Sequence, residues 1–287
     1  MKNWIIIFWS ILFTSLAVHS STLYAQSPYG NLKFKTKEWK HVQYMHNNSE
    51  EANYNHSFKI AIPISGDSST CRFVENAIIQ LAITPQKKSA SINEALKGYF
   101  QEQSNNYLEG TDMYEEALAK EKDPKRLDWI NLIHGVIQED SVAISTYYSD
   151  ILVLQNHWLI YQGGASAMMG SQSINLDLRN KKEIHFRDIF KPEANSKLIP
   201  LLKENLRKKL DVETMEDVEF EGYNIQKITI PKRFLIEPLG IRFIYETYDI
   251  GPGAFNEPDI FIPYGEMLSV MRTEQALVKN LLKHSKN

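Results

Sequence analysis

Cysteine is nearly absent from this chain. Its 287 residues include one, Cys71, and a single thiol cannot close an internal disulfide. Stability must therefore come from a packed core, and Cys71 is expected as a small apolar side chain on a helix. A basic excess is lacking as well: 32 Lys and Arg stand against 35 Asp and Glu, for a net charge of −3. That balance excludes the electrostatic footprint of a nucleic-acid binder. Internal repeats and low-complexity tracts are missing, which leaves a globular reading. Long apolar runs are also scarce, and only Trp4–Val18 stands out.

That run settles the expected compartment. Lys2 precedes it, small and polar residues follow, and Leu23-Tyr24-Ala25 stands before Gln26. This is the three-part form of a secretory signal peptide, read here as residues 1–25 with cleavage after Ala25. A spanning helix needs ~20 apolar residues, and this core is shorter. The expectation is export to the periplasm or exterior, with no membrane span after cleavage; retention as an anchor is the alternative. What remains, at 43% hydrophobic and 23% charged overall, has an ordinary globular composition.

Residues 26–40 mix polar and aromatic side chains and read as a flexible lead-in. Two closely associated subdomains are expected beyond it, 41–160 and 161–287. Phe58, Ile60, Ile62 and Ile64 alternate with other residues as in a half-buried strand. A helix is expected over Thr70–Leu81. Ser91 and Glu94 stand at capping-box spacing ahead of the stripe Ile92, Ala95, Leu96, Tyr99 and Phe100. A third helix starts near Asp112 and stops at Asp123-Pro124. From Asp128 the pattern turns to strand, over Trp129–Gln138 and Val142–Tyr161. Arg179–Lys182 reads as a hairpin turn. Glu193–Leu210 is a helix with its leucines inward, and Asp211–Glu221 an acidic surface excursion. Short strands at Ile225–Ile230, Phe234–Ile236, Ile241–Tyr245 and Ile260–Tyr264 lead to a terminal helix from Gly265. Strands and helices come in blocks, so the expected class is α+β, with mainly antiparallel sheets and packed helices.

The motifs of known chemistries do not assemble. Gly163-Gly164 is followed by no Gly-Lys-Ser/Thr, so a phosphate loop is set aside for a tight turn. Ser166 lies in Gly-Gly-Ala-Ser-Ala, which is no Gly-x-Ser-x-Gly elbow. The eight histidines show no metal-ligand spacing. Asp249, Glu257 and Asp259 could hold a hard cation, but the default is three solvated loop acids. More suggestive is the aromatic content of two glycine loops. Tyr147, Tyr148, Trp158 and Tyr161 lead into the first, and Tyr245, Tyr248, Phe255 and Tyr264 surround the second. Exposed aromatics on loops are contact residues for proteins and sugars, although strand positions such as Tyr147, Trp158 and Tyr245 are expected in the core.

Several stretches together resemble a known pattern. Ile160-Tyr161-Gln162-Gly163-Gly164-Ala165, then Ile174-Asn175-Leu176-Asp177-Leu178, then Phe186-Arg187-Asp188-Ile189-Phe190 are similar to Tyr-x-Gly-Gly-Ala-His, x-Asn-x-Asp-Leu and Leu-x-Asp-Leu-Phe. Gly240–Tyr245, Tyr248-Asp249-Ile250-Gly251-Pro252 and Ile262-Pro263-Tyr264 resemble the C-terminal part of the same pattern. It is that of the RsiV-like C-terminal domain family, an extracytoplasmic module of lysozyme-sensing anti-sigma factors and PdaC-type deacetylases, preceded by an α/β domain. Ser166 departs from it, standing where the family has histidine, as does Gly253-Ala254-Phe255-Asn256.

The resemblance brings no catalytic residue with it. It implies an exported cell-envelope binding or sensing protein, with a lysozyme-like protein or a peptidoglycan-related glycan as partner. Contacts are expected at Tyr161, Gly163, Gly164, Ser166, Tyr248, Asp249 and Phe255, with no catalytic group, metal or cofactor and no nucleic acid. Two alternatives stay open: a hydrolase or esterase of envelope polysaccharide using Ser166, Asp249 or Asp188, and a structural envelope scaffold.

Overall fold

A computed structural model describes residues 32–46, 51–83, 89, 91–164, 166–253 and 257–284. The expected signal segment lies outside these residues, as does Phe255. Alternation builds the first sheet. In β2 (Asn53–Ser65) Tyr54, His56, Phe58 and Ile60 all point inward and are buried. Before it, β1 (Lys33–Tyr44) pairs antiparallel with β2 along its whole length. The lead-in expected at 26–40 is therefore, from Lys33 on, an edge strand. Its lysines hide the signal, because one side of the strand pairs with no other strand among the described residues and the strand stays charged, while Phe34 and Trp39 pack on the core.

A helical crossover follows. α1 (Ser68–Ile78) is capped by Asp67, whose carboxylate takes three hydrogen bonds from Ser69 and Thr70 and so is held down at a pKa of about 2. A π-helical turn, Ile79–Ile83, extends it. α2 (Ile92–Leu108) starts at Ser91, whose Oγ accepts from the Glu94 amide, as its spacing predicts. α3 (Thr111–Lys120) and α4 (Pro124–His134) form a hairpin that packs Tyr114 and Ile130 on Met45 and Ala52. Here the strand expected at Trp129–Gln138 is corrected. Asp123 caps Lys125 and Pro124 opens a helix, which runs through His134 before β3 (Val136–Tyr148) begins.

β3 joins β2 in parallel, the one parallel pairing of this sheet. β4 (Ile151–Tyr161), β5 (Met168–Asp177) and the two-residue β6 (Lys182–Glu183) add antiparallel neighbours, giving the order β1-β2-β3-β4-β5-β6. The division expected between 160 and 161 thus falls inside one sheet. α1, the π turn and α2 cover one face of that sheet, over Phe58, Ile60, Leu152 and Leu154.

The C-terminal half covers part of the other face. Short α5 (Phe186–Ile189) precedes α6 (Asn195–Leu210), which buries Leu198, Leu202 and Leu206 as expected. α7 (Met215–Phe220) follows, and Val218 anchors this acidic excursion. The strand expected at Ile225–Ile230 is instead a 3-10 turn, because the Asn224 side chain captures the amides of Gln226 and Lys227. β7 (Arg233–Glu237), β8 (Gly240–Ile244) and β9 (Asp259–Pro263) form an antiparallel sheet. The terminal helix is broken into α8 (Tyr264–Met267) and α9 (Ala276–His284). Ile151, Val153 and Tyr148 of the first sheet enter the same core as Phe243, Ile262 and Met271. The fold is α+β. No helix among the described residues is long and apolar enough to cross a membrane.

Leu152 lies in the central strand β4 and is wholly buried. Leu152→Ala is expected to cost about 2–5 kcal/mol in urea unfolding through the cavity it leaves.

Candidate recognition surface

The β4–β5 connection is built from a conflict between chain direction and space. Gly163 has φ of +66° and Gly164 of +141°, conformations that L side chains rarely adopt. Gly163 also sits against the end of α4, where an added Cβ would lie 2.5 Å from the Ile133 Cα and 2.8 Å from the Leu132 carbonyl oxygen. The Tyr161 hydroxyl closes the turn by donating to the Gly164 carbonyl at 3.1 Å. This is the turn expected from the glycine pair, and Ser166 is exposed beyond it.

Apolar side chains left in water gather around that turn. Trp129, Leu132 and Ile133 of α4 are exposed, and Gly163 lies directly on the last two. Ile137, second in β3, stands opposite Tyr161, while Met168 and Met169 open β5 opposite Ile160 and Leu159 and so project from the two faces of the sheet at this end. Ile137 is exposed, and both methionines are more than half so. Single exposed apolar residues need no explanation, but several gathered at one end of one sheet mark a contact surface.

The second glycine loop is organised differently. Tyr248 takes φ of +72° and is 70% exposed. Its ring lies on Gly253, where any Cβ would meet the ring within 2.6 Å. Asp249 is committed to its own turn, accepting from the Glu246 amide at 2.9 Å. Just beyond the loop, Glu257 reaches across to β5. Its carboxylate accepts from the Ser171 amide at 3.0 Å and from the Ser171 hydroxyl at 2.5 Å. Arg233 completes the group, bonding Glu257 at 2.7 Å, the Ser171 hydroxyl at 2.6 Å and the Ser171 carbonyl. The two loops thus hold to different partners, one to α4 and the other to β5, three residues past Met168.

The three loop acids considered for a cation are dispersed. Glu257 serves Arg233, Asp249 caps its turn, and Asp259 is ion-paired with Lys209 and Arg242, which hold its carboxyl below the usual range against the effect of burial. Among the described residues no group of three or more His, Cys, Asp and Glu could hold a metal ion. Of the hydrolase candidates, Asp188 accepts from the His185 amide as a helix cap. It lies in α5, Asp249 in the β8–β9 loop and Ser166 after β4.

A polar layer went unread in the sequence. His56, wholly buried, bonds the Tyr54 hydroxyl at 2.7 Å through Nδ1 and Asp140 at 2.8 Å through Nε2. Asn156 donates to the other Asp140 oxygen at 2.9 Å. Phe58, Tyr99 and Phe100 close over the imidazole. The order tyrosine–histidine–carboxylate looks catalytic, yet His56 has no exposed atom to offer a substrate. It aligns α2 on the sheet. One signal was available: His56 falls in the inward phase of an alternating strand, where a buried imidazole needs polar partners.

Two outcomes follow from this geometry. Gly163→Ala is expected to lower stability by about 2 kcal/mol or more, from left-handed strain plus the clash with α4, as read by urea unfolding. His41 stacks on Phe100 and bonds Ser104 at 2.6 Å, and burial, then the nearby His56, lower its pKa from the ordinary 6.5. A lowered histidine pKa means that the unfolded chain binds the proton first. Its contribution is therefore intact above pH ~6.5 and declines as pH falls towards the folded-state value. His41→Gln should flatten that part of the stability–pH curve.

Residues 187–265 match the sequence model of the family described as "Protein of unknown function (DUF3298)". No curated protein matches the chain. Two solved structures are similar in fold. One is a DUF3298 family member from Bacteroides fragilis, 21% identical with a TM-score of 0.78, covering 89% of this chain and 99% of that one. The other is a DUF3298 family protein from Pseudomonas aeruginosa, 16% identical with a TM-score of 0.54, covering 84% and 94%. Residues 187–265, from α5 to the start of α8, thus form a DUF3298 domain, set in a fold that these two proteins share.

Proposed function

We propose that this chain is an exported cell-envelope binding module that recognises a protein partner and performs no chemistry of its own. The observation that carries the reading is the set of exposed apolar side chains around the Gly163 turn, namely Trp129, Leu132, Ile133, Ile137, Met168 and Met169. A surface of this kind gains free energy by excluding water against another apolar surface. A polysaccharide would ask instead for flat aromatic faces flanked by convergent hydroxyl, amide and carboxylate groups, and of these six side chains only Trp129 is aromatic. The export signal read at residues 1–25 and the RsiV-like segments at 160–178 and 240–264 support an extracytoplasmic partner. They make a lysozyme-like protein the first to try. Tyr248, exposed on the second glycine loop, is a further contact on this reading, beside Tyr161 and Ser166 on the first.

Calorimetry of the chain lacking residues 1–25 against purified lysozymes and, separately, soluble peptidoglycan fragments tests it. Binding to a lysozyme is expected, weakened roughly tenfold or more by Leu132→Asp or Met168→Asp with melting temperature unchanged, as for a contact near an interface centre. Product release from cell-wall material, lost in Ser166→Ala, would instead establish the hydrolase reading. Silence in both assays removes the lysozyme and glycan partners together.

A further inference from the structure

The first sheet has two long edges, and they are finished differently. The free side of β1 carries Lys33, Lys35, Lys37 and Lys40, all exposed. Lysine on an edge discourages another strand from pairing there. β5 has no such guard. β6 pairs only with Leu176 and Asp177, so Met168–Ile174 pairs with β4 on one side and with no strand among the described residues on the other, where β7 packs close by through Arg233 and Phe234 without joining the ladder. Ser171 turns its amide and carbonyl outward, to Glu257 and Arg233. Alternate residues of an antiparallel strand face the same way, so Met169 and Ser173 also turn their main chain to the open side. No strand among the described residues pairs with either of them. Beside this edge runs an open groove of about 340 Å³ with Leu81, Gln172, Ser173, Ile174, Glu183 and Arg233 in its walls. The Arg233 Nε is buried and finds no acceptor among the described residues.

We propose that the open edge of β5 takes an extended segment of the partner polypeptide as an added strand. The inference deepens the reading above and rests on it, since Met168 and Met169 belong to both surfaces. The outward amides and carbonyls of Met169 and Ser173, one on each side of the occupied Ser171, are complementary to another main chain. The Arg233–Glu257 pair occupies the Ser171 position and so limits the register: a segment pairs at Met169 or at Ser173 and must pass the ion pair between them.

Phage-displayed random peptides panned on the folded chain give the probe, and the enriched peptides are resynthesised with N-methyl groups at alternate residues. One phase of methylation is expected to weaken binding about tenfold or more, the other phase little, because each methyl removes a main-chain donor. Met169→Pro deletes one outward N–H where the edge tolerates proline, and should weaken binding by more than Met169→Gln does. Ser173→Pro repeats the test in the groove, and the methylated peptides leave the protein itself unaltered. Peptides indifferent to methylation in both phases, or no enrichment, would overturn strand addition. If lysozyme binding still failed in Leu132→Asp, the apolar surface would stand without it. A concentration-dependent dimer of the chain, abolished by Met169→Pro, would mean that the edge serves a second copy and not a partner.

Discussion

A strand at a sheet edge must satisfy main-chain donors and acceptors that no neighbouring strand meets, and in β5 the answer shapes the molecule. At Leu176 and Asp177 the short β6 supplies the ladder. At Asn175 the side-chain amide goes to the next sheet, donating to the Phe234 carbonyl at 2.8 Å and accepting from the Ile236 amide at 3.0 Å. At Ser171 an ion pair stands in for a strand. These contacts place β7 along β5, and with it the DUF3298 domain on the first sheet. Tyr148 and Tyr264 reinforce the junction, both donating to the Glu237 carbonyl. A hydrogen bond contributes a net ~0.5–1.5 kcal/mol, somewhat more when charged, so these groups choose the register. The burial of Ile151, Val153, Phe243 and Ile262 beneath them supplies the larger share of stability.

The placement of ionisable groups is what supports the proposed binding role over the hydrolase alternative. A catalytic group has to meet substrate, yet the histidine with the most elaborate set of partners, His56, is sealed under aromatic rings. The carboxylates of the second loop region are tied to Arg233, Arg242, Lys209 or their own backbone. What faces solvent around the Gly163 turn is mostly hydrocarbon and thioether. Such a surface has little means of stabilising a developing charge and much to gain from being covered.

How far this was legible in the sequence depends on the range of the interaction. Local chemistry read through: the Ser91 cap, the leucines of α6, the glycine turn and the alternation of β2 lie where the pattern puts them. α4 did not. In α4 Trp129, Leu132 and Ile133 face water along with Lys125, Arg126 and Asp128, so apolar and polar residues do not separate at the helical period and an apolar run reads as a strand. The misreading and the candidate surface therefore share one cause, the exposure of apolar side chains. β1 failed in the opposite sense, its edge lysines imitating a polar tail. Pairings across long separations had no local trace. Ser171 and Glu257 stand 86 residues apart, and His56 and Asp140 stand 84 apart. Part of the latter was still accessible, since the inward phase of β2 marks His56 as buried.

The division of labour between the two halves bears on how the surface could act. Apart from Tyr248, the side chains proposed to make contact lie between Trp129 and Met169, outside residues 187–265. The DUF3298 domain holds β5 from one side through Arg233 and Glu257, while α4 presses on Gly163 from the other. A turn pinned in this way has few conformations to lose when a partner arrives. Ordering a mobile loop at an interface costs roughly 0.5–1.5 kcal/mol for each immobilised side chain. A turn already fixed by two glycines, a helix end and an ion pair avoids much of that cost. On this argument the half-buried ion pair contributes to recognition without touching the partner, by keeping Met168, Met169 and the β5 edge in one arrangement.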